Sequence, residues 1–282
     1  MLKHILILSF LITMSCEDKK DDTNYEPMTG AYLPAHDVAK IVKDGAYYIV
    51  YYSGLESVYY DTENSVWVEG MGIGDIPSPL TDDQEPTWIS SSVVADVGVK
   101  SAPGMLDSRT MYYCMADWDA DDGSACIGRA TAAGEAPTDL IWEDDGEPII
   151  CSDAEGVQNG EPFAIDPAVF TDDIGNLWMV YGSHWSGLWV VELDASTGHL
   201  SETAQVGWSP DNTAFTRVAQ NLSDPEDEFV AGKVEAAFIY NHDDYYYLFV
   251  NWDECCNGIE STYNIRMGRS TSPTGPFWIK RT

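Results

Sequence analysis

Three carboxylate side chains recur at matching positions along this chain and could carry out acid–base chemistry. Asp37 lies ten residues before an aromatic segment, and Asp166 and Glu235 lie eleven residues before two further ones. Each sits among apolar residues, where a carboxylate is costly unless it is paired or functional. Carboxylates brought to one point separate in pKa, so that one stays protonated while another is ionised. Hydrolysis of a glycosidic bond uses such a pair: the protonated acid donates to the leaving oxygen, and the carboxylate activates water on the opposite face.

The segments that follow these acids belong to one strand pattern written four times. Their first residues lie 64, 66 and 69 residues apart, and a second strand-like run follows each. The four aromatic segments are Tyr47–Ser53, Met111–Asp117, Leu177–Ser183 and Tyr246–Trp252. A period this regular indicates one repeated supersecondary unit. A unit of about 65 residues with two clear and two weaker strands is typical of one blade of a β-propeller.

The repeat therefore predicts an all-β chain of the five-bladed propeller type, with about four blades present and the last one missing. A closed four-bladed ring is the alternative. A β-sandwich is less favoured, because sandwiches do not repeat a whole strand pattern at this interval. The innermost strands of a propeller line a central channel, so Asp37, Asp166 and Glu235 would meet on one face. Asp96, fifteen residues before Met111, would be a nearly equivalent fourth acid.

The composition limits the partners. With 47 Asp and Glu against 14 Lys and Arg, the 282-residue chain has a formal net charge of −33. This charge argues against nucleic acid, whose binding depends on basic side chains that neutralise phosphates, and against polyanionic substrates. A neutral polymer would not be repelled. The 16 Tyr and 10 Trp supply flat faces for sugar rings, although most of them are expected to pack within the fold.

The first 34 residues are predicted to lie outside the folded domain. Residues 1–16 have the layout of an export signal: Lys3 and His4, an apolar run too short to span a bilayer, and a terminal Cys16. This resembles a bacterial lipoprotein signal in which Cys16 is lipidated; an ordinary cleaved signal is the alternative. Residues 17–34 would be a hydrophilic tether and residues 35–282 the propeller domain. We expect an exported lipoprotein with a lipid anchor in the outer membrane, at the cell surface or in the periplasm.

The other five cysteines are an odd number, which leaves at least one thiol unpaired. Cys114 and Cys126 lie on the two arms of a predicted hairpin and could pair across it. Disulfides are permitted in an exported protein. No Cys or His spacing matches a zinc site, so the spacing predicts no metal.

Several motifs resemble glycoside hydrolase family 43, with the closest likeness to endo-1,5-α-L-arabinanases. The run Phe163–Phe170, continuing to Tyr181–Trp185, resembles the central motif of that family. Val234–Ala237 resembles its general-acid strand, and Asn251–Gly258, which contains adjacent cysteines, resembles a segment distinctive of the arabinanases. The likeness extends from about Ala35 to Phe277.

The resemblance implies roles for individual residues. Asp37 would be the general base that activates water, and Glu235 the general acid that protonates the leaving oxygen. Asp166 would orient Glu235 and raise its pKa. The residues implied to contact substrate are Phe163, Ala164, Ile165, Ser183, His184 and Trp185, with Trp88 stacking on a sugar.

The chain also departs from the family pattern. Val38 stands where the family usually has Pro. The family carries a His on its fifth blade that helps to hold a metal ion on the axis, and neither His199 nor His242 matches it. The chemistry itself would need no cofactor. A structural calcium ion on the axis is implied by the resemblance, but its His ligand is not in this chain.

Three hypotheses for function remain at this point. The first is an inverting hydrolase that cleaves neutral α-1,5-linked L-arabinan of plant cell-wall polysaccharide. The second is an exo-acting α-L-arabinofuranosidase or β-xylosidase, since a single loop can close one end of a cleft. The third is a non-catalytic propeller that binds glycan, which would keep the aromatic residues without needing all three acids.

Overall fold

A computed structural model describes residues 36–62, 66–69, 79–80, 86–89, 100–117, 123–222 and 232–279. The predicted signal with Cys16, the predicted tether 17–34 and Asp96 lie outside the described residues. Within the described ranges, no helix is both long enough and apolar enough to cross a membrane.

The described residues form four antiparallel sheets in chain order. The first contains β1 (Val42–Asp44), β2 (Tyr47–Tyr52), β3 (Glu56–Asp61) and β4 (Val66–Glu69). The second contains β5 (Ser101–Asp107), β6 (Thr110–Ala116), β7 (Ala125–Ala133) and β8 (Ile141–Asp144), with β9 (Ile150–Ser152) paired to β7. The third contains β10 (Ala168–Thr171), β11 (Leu177–Tyr181), β12 (Leu188–Leu193) and β13 (Phe215–Ala219). The fourth contains β14 (Val234–His242), β15 (Tyr245–Trp252) and β16 (Asn264–Ser270). A short helix, α1 (Ala154–Gln158), follows β9.

The repeated aromatic segments are the second strands of the four sheets, namely β2, β6, β11 and β15. Both faces of β11 are buried: Met179 and Tyr181 belong to one apolar layer and Val180 to another, because successive residues of a strand point to opposite faces. Tight turns join the first and second strands, as at Gly45, which has a φ of 56°. The all-β propeller prediction is confirmed, with four blades in the described part of the chain.

The blades pack face to face through three apolar layers. Ile49 and Met111 belong to the layer between the first and second sheets, and Tyr112 and Met179 to the layer between the second and third. Phe170 and Tyr246 belong to the layer between the third and fourth. The first strands of the sheets approach one another at the centre: β5 contacts β10, and β10 contacts β14.

A disulfide joins Cys126 of β7 to Cys151 of β9, which are direct partners in the sheet. The predicted pairing of Cys114 with Cys126 is therefore wrong. Cys114 lies opposite Ile127 in the hairpin, and the two cysteines face different apolar layers. The Cys114 thiol is buried, 3.4 Å from the Ser101 hydroxyl.

Candidate active site

The first strands of all four blades begin around one cavity of about 440 Å³. Asp37 and Asp166 line it, together with Asn251 and Tyr263 of the fourth blade. Glu235 lies directly behind this wall, where its carboxyl group accepts a hydrogen bond from the Tyr263 hydroxyl. The structure therefore brings the three sequence-predicted acids to one place.

Each blade has one residue in the left-handed backbone conformation, with positive φ, where its first strand begins. The four residues are Asp37, Ala102, Asp166 and Ala236, with φ between 44° and 55°. Such a φ is uncommon outside glycine and holds the chain in one strained conformation. Glu235 comes one residue before this position, so it is offset by one residue from the predicted register. In the second blade an alanine takes the position, and no described acid replaces it.

Asp37 is the most accessible of the three acids, with a third of its side chain exposed. The Ser53 hydroxyl donates a hydrogen bond to Asp37 Oδ2 over 2.5 Å, and His36 Nδ1 lies 2.9 Å from the same oxygen. The backbone N–H of Ser53 donates to the carbonyl of His36 and fixes the start of the blade. An oriented carboxylate that solvent can reach suits the activation of water.

Asp166 is largely buried and joins the third blade to the fourth. Its Oδ2 accepts a 3.0 Å hydrogen bond from the backbone N–H of Ala236, the residue after Glu235. Burial raises the pKa of Asp166 well above its usual range, and the nearby charges of Glu235 and Asp37 raise that pKa further. The three carboxyl groups are thus close enough to couple electrostatically.

Glu235 is held on both carboxyl oxygens. The Tyr263 hydroxyl donates to Oε1 over 2.8 Å, and the Ser183 hydroxyl donates to Oε2 over 3.0 Å. His184 Nδ1 lies 2.8 Å from Ser183 Oγ and 3.8 Å from Glu235 Oε2. Ser183 and His184, predicted to contact substrate, thus lie beside the acid, and their contact with substrate stays a prediction.

Tyr263 is a residue of the site that sequence reasoning missed. It lies within the region of family likeness from about Ala35 to Phe277, but nothing in its spacing predicted a bond to Glu235. Only the return of the chain between β15 and β16 brings its hydroxyl to the carboxyl group.

Four other predicted substrate contacts lie elsewhere. Phe163, Ala164 and Ile165 are buried in the layer between the second and third sheets, at most 7% exposed. Trp88 is 5% exposed, and its ring nitrogen donates to Asp144 Oδ1 over 3.0 Å. The core covers most of the surface of these side chains, and their contact with sugar stays a prediction. Trp185, half-buried, packs edge-on against Phe163.

Across ranges 36–62, 66–69, 79–80, 86–89, 100–117, 123–222 and 232–279, no group of three or more His, Cys, Asp or Glu side chains could hold a metal ion. The structural calcium ion that the family resemblance implies stays a prediction.

The fold and site define a class: an all-β propeller whose blades bring carboxyl groups to a central cavity. The family described as Glycosyl hydrolases family 43 matches residues 40–281. The chain belongs to this family.

Individual proteins of known name are also similar. An extracellular exo-α-(1→5)-L-arabinofuranosidase of Cellvibrio japonicus is 29% identical over 70% of this chain and 54% of its own length. An extracellular endo-α-(1→5)-L-arabinanase of Bacillus subtilis is 31% identical over 60% of this chain and 45% of its own length. The chain thus spans about half the length of these curated relatives. The structure of a Cellvibrio cellulosa α-L-arabinanase complexed with arabinohexaose superposes with a TM-score of 0.69 at 25% identity, over 88% of this chain and 74% of that one.

Proposed function

We propose that the chain is an inverting glycoside hydrolase that cleaves α-1,5-linked L-arabinan. The observation that carries the proposal is the carboxyl arrangement: Glu235 is held by two neutral donors, Asp37 is open to solvent, and Asp166 is near enough to both for their charges to raise its pKa. The similar proteins of Cellvibrio and Bacillus, one named exo-acting and the other endo-acting, support arabinan as the substrate class. The net charge of −33 is compatible with a neutral polysaccharide.

In the proposed mechanism the sugar lies in the cavity between Asp37 and Glu235. Asp37 takes a proton from water as the water oxygen attacks the anomeric carbon. Glu235 gives its proton to the leaving oxygen as the glycosidic bond breaks, and the configuration at that carbon inverts. Asp166 fixes the residue next to Glu235 through its bond with Ala236 N–H.

Export is part of the proposal. Several similar proteins are named extracellular, which supports secretion of this chain. We propose further that residues 1–16 are a lipoprotein signal and that Cys16 carries the lipid anchor in the outer membrane. Metabolic labelling with a fatty acid, compared between the full chain and its Cys16→Ser variant, tests this anchor. Label in both or in neither would contradict it.

The activity is tested on linear α-1,5-arabinan, with xylan as the control polysaccharide. The chain should release reducing sugar from arabinan only, and NMR should show the β-anomer as the first product. Glu235→Gln should lower the rate by about 100-fold or more because the acid is lost, with an unchanged circular dichroism spectrum. Short oligomers indicate endo action and arabinose alone indicates exo action. A folded chain that cleaves no arabinan, or a variant as fast as the parent, would overturn the proposal.

A further inference from the structure

The acid of the proposed mechanism is held between two blades by two different hydroxyl groups. Ser183 follows β11 in the third blade, and Tyr263 precedes β16 in the fourth. Each reaches one oxygen of Glu235, at 3.0 Å and 2.8 Å. Of the two hydroxyl-bearing residues, Tyr263 is the one that lines the cavity.

Tyr263 is suited to act as a fixed donor. Burial raises the pKa of its hydroxyl well above the usual range, and the negative charge of Glu235 raises it further. The hydroxyl therefore stays protonated at any working pH and always has a hydrogen to give. The Asn251 side chain, which also lines the cavity, hydrogen-bonds the same tyrosine.

The segment before Tyr263 is closed on itself. Glu254 N–H donates to Thr262 Oγ1 over 3.2 Å, and Thr262 N–H donates back to the Glu254 carbonyl over 3.0 Å. Asn257 N–H donates to the Ser261 hydroxyl, and a disulfide joins Cys255 to Cys256 at the tip. Short loops whose ends meet and whose own groups fill them are compact and are often functional. This closed loop ends at the tyrosine.

We propose that Tyr263 is a positioning residue of the hydrolase, which holds Glu235 at the cavity wall, and that the closed loop 253–263 sets the place of its hydroxyl. The inference rests on the proposed function, because Glu235 must be the acid for its orientation to matter. It adds a residue and a loop to the proposed machinery.

The loss of this one hydroxyl has a predictable effect on the reaction. Proton transfer requires close alignment, and a misplacement of about 1 Å can lower a rate about 100-fold. The other groups that face Glu235 are Asp166, Ser183 and His184, and none of them changes in Tyr263→Phe.

The test compares Tyr263→Phe with Tyr240→Phe, an exposed tyrosine of β14 in the same blade. On linear arabinan we expect kcat of Tyr263→Phe to fall by about 10- to 100-fold with KM little changed. Tyr240→Phe should match the parent.

A second substrate separates positioning from general damage. An aryl arabino-oligosaccharide with a dinitrophenolate leaving group needs no proton from the acid, so Tyr263→Phe should cleave it at nearly the parental rate. Thr262→Val loosens the loop but keeps the tyrosine. It should lower kcat on arabinan by a smaller factor and should also cleave the dinitrophenyl substrate at nearly the parental rate.

The possible outcomes are distinct. Equal losses on both substrates, or an unchanged kcat on arabinan, would overturn the inference while leaving the proposed function intact. An unmodified chain that is inactive on both substrates would instead overturn the proposed function.

Discussion

Asp166 shows how the site and the stability of the fold oppose each other at a single residue. Its carboxyl group is placed where burial and two neighbouring acids all raise its pKa. A carboxyl whose pKa is raised by folding keeps its proton in the folded chain while the unfolded chain ionises in the ordinary range. Its contribution to stability is therefore fully present at low pH and is lost as the pH rises through the raised pKa.

Asp166→Asn should therefore make the protein more stable at pH 8. Asparagine cannot ionise, and its side-chain oxygen can still accept the bond from Ala236 N–H. We expect the free energy of unfolding to rise by on the order of 1 kcal/mol at pH 8, with a smaller gain at pH 5, while activity on arabinan falls. Urea denaturation at both pH values measures this. A variant that is less stable than the parent at pH 8 would contradict the sign.

Asp194→Asn is the matched control. Asp194 is exposed, and hydrogen bonds from Ser196 lower its pKa. The folded-state pKa of Asp194 is shifted in the opposite direction to that of Asp166. Its contribution to the stability of the fold is therefore present at neutral pH and is lost on acidification. The asparagine variant should be no more stable than the parent at pH 8 and should keep full activity.

The residue types of the site could be predicted, but their partners could not. The repeat predicted that Asp37, Asp166 and Glu235 lie together, because equivalent strand positions meet at a propeller axis. The bond from Tyr263 depends on how a loop returns between two strands, which no local pattern encodes. The apolar run around Ile165 is equally typical of a binding surface and of a core. The packing of the sheets places it in the core.

At the level of elements, β5 approaches the start of β10 closely at Gly104. A Cβ atom added to Gly104 would lie 2.0 Å from the carbonyl oxygen of Pro167. This contact is possible only because Gly104 has no side chain. Pro167 follows Asp166 directly, so the spacing of these two strands also sets the position of the acid.

Gly104→Ala should therefore damage both the fold and the site. The added methyl group must push β10 away from β5, and overpacking of this kind costs about 1–3 kcal/mol. We expect a lower melting temperature and a lower kcat per folded molecule, measured by calorimetry and by arabinan hydrolysis. Unchanged values for both would show that the two strands separate freely.

Gly175→Ala provides a comparison without the close contact. Gly175 lies in a turn with φ +93° and has nothing within 4 Å of an added Cβ. Its substitution should cost about 1 kcal/mol through backbone strain alone. Activity per folded molecule should stay at the parental level, because this turn does not touch the cavity.

The elements were more predictable than their cross-links. Four aromatic segments became four second strands, since pattern and strand propensity agree there. The disulfide was predicted between Cys114 and Cys126 because both lie on one hairpin. The pleat turns them to opposite faces, and Cys126 meets Cys151 on β9, a short strand that carried no repeat signal.

For the molecule as a whole, charge is the dominant feature. Three of the bases form local pairs: Arg109 with Asp44, Arg129 with Asp145, and Lys233 with Glu254. With 47 acids against 14 bases, the carboxylates far outnumber the bases that could pair with them. Such self-repulsion opposes the compact state.

Added salt should therefore stabilise the protein without changing its affinity for arabinan. The Debye length falls from about 30 Å at 0.01 M to about 10 Å at 0.1 M salt, so repulsion between surface carboxylates weakens over this range. We expect the melting temperature to rise by several degrees, about 2–4 °C for each kcal/mol, and to level off above about 0.3 M as screening saturates.

Calorimetry in NaCl and in KCl measures this rise in melting temperature, and equal curves in the two salts exclude specific binding of one cation. KM for neutral arabinan should stay constant over the same series, because no charge on the substrate is screened. A melting temperature that falls with salt, or a KM that changes severalfold, would show that the net charge does not act in this way.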